Sequence, residues 1–230
     1  MANRERVLAI GDIHGCFNAL KTLCELVPIR NADLVITLGD YVDRGPQTRD
    51  VVDWLIARDS IGKLIPLRGN HEIMMLAALQ RKMPIEHWLQ FGGWEVIKSY
   101  GGKVSRDARD IDKISPNHLK FLNDALLDSF ETDSHIFVHA AVDPMLPMNE
   151  QPESSLFWDR FDWQAPHVSG KTIICGHTAQ KQGVPRDLGH AICIDTWVYG
   201  QGFLTCLDVE TGQYWQASQE GETNTDWLRP

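Results

Sequence analysis

Short apolar runs ending in glycine alternate with helical periodicities through the first third of the chain. Val7–Ile10 and Leu34–Leu38 read as buried parallel strands, each followed by polar, glycine-rich residues. Phe17–Val27 carries apolar positions at Leu20, Leu23, Cys24 and Val27, and Thr48–Ala57 opens just after Pro46. Both predict helices. Lys63–Leu67 predicts a third strand and Glu72–Lys82 a third helix. This β-α-β-α-β order predicts an α/β fold with a mainly parallel sheet, whose ligands gather at the carboxyl ends of the strands.

The pattern then changes. Residues 83–130 read as a mainly helical insertion broken by Pro84, Gly92-Gly93, Gly101-Gly102 and Pro116. Beyond it, His135–His139, Thr172–Cys175, Ala191–Ile194, Phe203–Asp208 and Gln213–Ala217 are strand-like, and predict a second sheet packed on the first. Gly221–Pro230 is polar apart from Trp227-Leu228 and is expected to be a flexible tail. The expectation is one domain over 1–220, because the motifs below must converge on one site.

Composition narrows the possibilities. At 43% hydrophobic residues the 230-residue chain can bury a sizeable core. It has no run near the roughly 18 apolar residues that span a bilayer, and Val7 follows the start too closely for a signal peptide. Five cysteines with no paired spacing point to reduced thiols, so the expected location is cytoplasmic, with no membrane partner. A formal charge of −9 argues against a nucleic-acid surface. The same field repels phosphate, so any phosphate site needs strong local positive charge.

Five short motifs, four of them containing glycine, carry candidate chemistry. They are Gly11-Asp12-Ile13-His14-Gly15, Gly39-Asp40-Tyr41-Val42-Asp43-Arg44-Gly45, Arg68-Gly69-Asn70-His71-Glu72, Val138-His139-Ala140 and Gly176-His177-Thr178. Aspartate, histidine and asparagine suit hard-to-borderline divalent metals. Residues i and i+2 of an extended segment share a side, so Asp12 and His14 are expected to share one metal with Asp40. Asp40, with its two oxygens, is expected to bridge to a second metal held also by Asn70, His139 and His177. Each motif alone is compatible with turn chemistry, but six donor types at strand ends are not.

The series GDIHG, GDYVDRG, RGNHE, a histidine after an apolar strand, and GHT resembles the phosphoprotein phosphatases of the calcineurin-like metallophosphoesterase superfamily, over about residues 7–196. The resemblance implies a four-layer α-β-β-α sandwich and two metal ions, manganese first, with iron, zinc or nickel as alternatives. It implies His71 as the catalytic acid oriented by Asp43, and Arg44 as a phosphate-binding fork. Arg160, in Phe157-Trp158-Asp159-Arg160, sits where bacterial and phage members carry a second such arginine. The implied reaction is direct in-line attack by a metal-bridging hydroxide, with an imidazole protonating the leaving oxygen.

Trp88-Leu89, Phe91-Gly92-Gly93 and Ser99-Tyr100-Gly101 resemble a segment of small bacterial protein phosphatases and of diadenosine tetraphosphatases alike. The expected partner is a phosphorylated protein or peptide carrying phosphoserine or phosphothreonine, with phosphotyrosine as an extension. A dinucleoside polyphosphate, cleaved symmetrically, is the alternative. An inactive binding scaffold is a third reading, disfavoured because all six ligands and His71 are retained. Arg68 and Asp195 are candidates for a supporting role, Glu72 fits the helix dipole, and Trp88, Trp94 and Trp158 are candidates to line a groove.

Overall fold

The computed structural model describes residues 6–103, 110–161 and 165–228. β1 (Val7–Ile10), β2 (Leu34–Thr37) and β3 (Leu64–Pro66) pair in parallel, with Leu8 opposite Val35 and Val35 opposite Leu64. α1 (Phe17–Leu26) and α2 (Thr48–Asp59) make the crossovers, and α3 (Asn70–Leu79) leaves the end of β3. The insertion then supplies α4 (Ile85–Trp88), a kink at Leu89–Gly93 where Gly92 leaves helical geometry, α5 (Trp94–Ser99) and α6 (Pro116–Asp124).

The second sheet contains β4 (Ser129–Glu131), β5 (His135–Val138), β6 (Thr172–Cys175), β7 (Arg186–Asp187) and β8 (Ala191–Cys193), with α7 (Glu153–Phe157) on the connection from β5 to β6. Its order is β4-β5-β6-β8-β7. The chain then returns to the first sheet. β9 (Leu204–Asp208) pairs antiparallel with the free side of β1, followed by β10 (Gln213–Ala217) and β11 (Thr223–Trp227), giving the order β11-β10-β9-β1-β2-β3.

Two expectations are corrected here. The late strands do not form one sheet, because β9 and β10 join β1. Alternation of apolar residues reports how many faces are buried, not which partner buries them. The segment expected to be a tail is instead edge strand β11, paired with β10 along five residues from Thr223 to Trp227. Its side chains are mostly exposed, so ladder hydrogen bonds rather than an apolar face hold it.

The layers follow the period-two rule of strands. Leu8 and Ile10 of β1 face α1 and α2, whereas Ala9 faces the other sheet with Ile36, Phe137, Ile174 and Leu207. On β5, Ile136 and Val138 point outward onto Leu156, Phe157 and Phe161. The result is an α/β four-layer sandwich. The carboxyl ends of β1, β2, β3, β5 and β6 converge on one rim, and every metal-type motif of the sequence sits there.

Candidate functional site

The rim is built from strained backbone. His14, Asp40, Asp43, Arg44 and His177 all have φ between 44° and 69°. Arg81 and Trp197 are the other non-glycine residues with positive φ among those described. Such conformations cost about 1–3 kcal/mol each and cluster where side chains must be aimed at one point. Close approach supports them: a side chain on Gly69 would begin 2.2 Å from Asp40 Oδ1, and one on Gly176 2.0 Å from Asp12 Oδ1.

Each metal-type histidine is oriented by a backbone carbonyl. Nδ1 of His14 donates to Val42 O at 2.9 Å, and Nδ1 of His139 to Leu38 O at 2.8 Å. The His177 imidazole bonds the carbonyl of Trp158. In His14 and His139 this leaves the Nε2 lone pair facing Asp40, at 3.4 Å from Oδ2 and 3.4 Å from Oδ1 respectively. Asn70 Oδ1 lies 3.1 Å from His139 Nε2. Two groups of donors therefore share Asp40: His14, Asp40 and His71 form one, and Asp40, His139 and His177 the other. Asp12 belongs to neither group; its carboxylate accepts the His177 N–H at 3.0 Å.

The electrostatics fit divalent cations. Burial holds His14 well below the usual imidazole range, lowers His139, and takes His177 to about 4, so all three are neutral at pH 7, the form able to ligate a metal. Burial, with Asp195 and Asp40 nearby, pushes Asp12 upward, and burial takes Asp195 to about 6. Burial works to raise Asp40 but nearby histidines lower it, whereas Asp12 and Asp195 stay raised, an imbalance that a bound cation would offset.

His71 behaves differently. Burial pulls it down, but Asp40 and Asp43 outweigh this and raise its pKa. Its Nδ1 donates to Asp43 Oδ2 at 2.6 Å, and its Nε2 accepts from Arg44 Nη2 at 3.0 Å. A guanidinium has no acceptor, so the imidazole proton sits on Nδ1 in this arrangement. Asp43 Oδ1 accepts the indole N–H of Trp88 at 2.8 Å. Beside them a pocket of about 320 Å³ is walled by Met74, Met83, Phe91 and Trp158 and opens onto Arg44 and His71.

Several side chains marked in the sequence have other places. Glu72 is wholly buried and accepts four backbone N–H bonds, from Asp40, Tyr41, Val42 and Gly69, so it pins the Asp40 loop onto α3. Arg68 pairs with Asp128 at 3.0 Å and bonds Leu126 O, away from the rim. Arg160 is exposed on the loop after α7, two residues beyond Trp158. Trp88 is buried and serves Asp43, Trp94 packs on the core, and Trp158 lines the pocket. All five cysteines are free thiols, and burial pushes Cys16 up to about 12.

Tyr199 escapes sequence reasoning altogether. Arg44's guanidinium lies 4.2 Å over its ring, and the His14 ring packs edge-on against it at 4.9 Å. The one available signal was an aromatic before Gly200-Gln201-Gly202, just after the strand that ends near Asp195.

The chain is 27% identical to the asymmetrical bis(5'-nucleosyl)-tetraphosphatase PrpE of Anoxybacillus flavithermus, over 86% of this chain and 88% of that protein. It is 39% identical to serine/threonine-protein phosphatase 1 of Salmonella typhimurium over 40% of each. Its fold matches the crystal structure of a putative diadenosine tetraphosphatase with a TM-score of 0.65 and 19% identity, covering 99% of this chain and 96% of that one. No helix among the described residues is long and apolar enough to cross a membrane. Residues 5–181 match the calcineurin-like phosphoesterase family, and the chain belongs to it.

Proposed function

We propose that this metallophosphoesterase is a phosphomonoester hydrolase acting on phosphorylated side chains of proteins, serine and threonine first. The observation that carries the reading is His71, tied to Asp43 and Arg44 at the mouth of an apolar pocket, with both metal-type clusters adjoining it. One ion would be held by Asp12, His14 and Asp40, and the other by Asp40, Asn70, His139 and His177, manganese being the proposed metal. Bound there, the ions supply positive charge for the phosphate and lower the pKa of the attacking water.

The chain's own residues do the rest. Arg44 binds phosphate oxygens as a planar fork, with Arg160 as the second cation. Drawn onto the phosphate, Arg44 releases His71 Nε2, and the carboxylates of Asp40 and Asp43 favour its protonated form. Nε2 then donates to the departing oxygen while Asp43 fixes the ring.

Hydrolysis of dinucleoside tetraphosphates is the second reading, favoured by the relative that matches along most of the chain. The apolar wall beside His71 supports the monoester, because a chain of further phosphates would need cations there rather than Met74 and Phe91. The test is kcat/KM of manganese-loaded protein on a phosphoserine peptide and on diadenosine tetraphosphate. Preference for the peptide supports the proposal, and preference for the nucleotide replaces it with the second reading.

A further inference from the structure

Met83 lines both the pocket beside His71 and a second depression of about 540 Å³, whose other walls include Leu79, Ile85, Ile111, Arg81 and Lys82. α3 links the two, starting at Asn70-His71 and ending at Leu79. Past its end the Arg81 N–H donates to Ala78 O at 3.1 Å and the Lys82 N–H to Ala77 O at 2.8 Å, the paired closure of a Schellman turn. Arg81 has φ of 60°, in the left-handed position that glycine fills with least strain. Among the described residues neither the Arg81 nor the Lys82 side chain has a hydrogen bond or ion pair, and both are exposed. On a chain of formal charge −9, two adjacent unpaired cations beside an apolar surface make a local patch that attracts anions.

We infer that this basic groove binds an acidic side chain of the phosphoprotein substrate, a few residues from the phosphorylated serine or threonine. The inference rests on the phosphoprotein reading above and deepens it. α3 carries the chain from His71 to Arg81, about 15 Å at roughly 1.5 Å per residue. An extended peptide covers about 3.3 Å per residue, which sets the acidic residue about four or five positions from the phosphorylated one. Leu79, Met83 and Ile85 suit apolar side chains of the segment between them. The phosphates adjoining a cleaved anhydride would instead stay beside Met74 and Phe91, short of these cations. A cation just past a helix C-terminus also favours the helix dipole, but that role bears on stability and leaves substrate preference alone.

The experiment measures kcat/KM of the manganese-loaded protein on phosphoserine peptides that differ only in carrying glutamate or lysine at the fourth and fifth positions to either side. Wild type is compared with Arg81→Lys and with the double variant Arg81→Glu, Lys82→Glu. Taking the ratio of the two peptides within each protein cancels any change in folded fraction. Wild type should favour the glutamate peptide by roughly 3- to 10-fold, mainly through KM, and the preference should shrink as salt is raised. Arg81→Lys should keep the preference, and the double variant should reverse it. No preference in wild type, or one that the double variant leaves unaltered, overturns the acidic subsite while peptide turnover leaves the phosphoprotein reading standing. A wild type that leaves every peptide intact while cleaving diadenosine tetraphosphate overturns both.

Discussion

Trp88 donates its indole N–H to Asp43 Oδ1 at 2.8 Å, and both residues are wholly shielded from solvent. The other Asp43 oxygen accepts from His71, so the carboxylate is held on both sides. Burial raises Asp43, and these two bonds oppose it. Trp88→Phe keeps an aromatic ring but leaves one buried carboxylate oxygen unpaired. The expected cost is about 1–3 kcal/mol in chemical unfolding, with kcat falling more for an alkyl phosphate than for p-nitrophenyl phosphate. Unchanged stability and kcat would remove Trp88 from the support of Asp43.

His71→Asn separates acid catalysis from metal binding. It should lower kcat for alkyl phosphates by about 10²–10⁴-fold and far less for p-nitrophenyl phosphate, whose leaving group hardly needs a proton. Metal content by elemental analysis should equal wild type. Equal losses on both esters would contradict the acid role.

Gly92 and Gly62 make a matched pair. Gly92 has φ of 109° and presses on Arg44, whereas Gly62 has φ of 70° and open space around its Cα. Both alanine variants incur backbone strain of roughly 1 kcal/mol. Gly92→Ala should lower Tm further and raise KM, because Arg44 must shift, while Gly62→Ala leaves KM as it was. Similar KM in the two variants would show that Gly92 does not position Arg44.

The metal-type residues stood out in the sequence because they lie at strand ends, all but His139 in glycine-containing motifs, and those glycines include close-approach points such as Gly69 and Gly176. The fold class followed from β1, β2 and β3, whose burial on both faces leaves continuous apolar runs. Partner choice did not: nothing in the apolar pattern of Leu204–Asp208 says that it pairs with β1 rather than β8. β11 was missed because its side chains are largely exposed and its order comes from the backbone. Tyr199 was missed because stacking on Arg44 is a long-range contact with no local spacing to mark it. The extended-strand geometry assumed for Asp12 and His14 does not describe this backbone, since His14 has φ of 44°.

Away from the rim, Asp33 should contribute to acid sensitivity. Burial pushes this carboxyl up, but bonds from Arg6 and the Arg30 N–H at 2.7 Å pull it down further, so its folded pKa is depressed. A depressed carboxylate stabilises the fold above its unfolded pKa of about 3.9, and that stability is lost as pH falls toward the lower folded value. The gap between wild type and Asp33→Asn, about 1–3 kcal/mol in urea unfolding at pH 7, should therefore close below about pH 4. A gap that is constant with pH would contradict the Arg6–Asp33 assignment.

We propose that Asp40 joins two metal sites that together serve phosphate-ester hydrolysis. The most direct test is elemental analysis of purified, manganese-reconstituted protein with p-nitrophenyl phosphate turnover measured on the same samples, for wild type and His139→Asn. Expected are two ions per chain in wild type, fewer in the variant, and turnover lost on chelation and restored by manganese. Undiminished turnover in chelated protein, or full metal content and activity in His139→Asn, would contradict it.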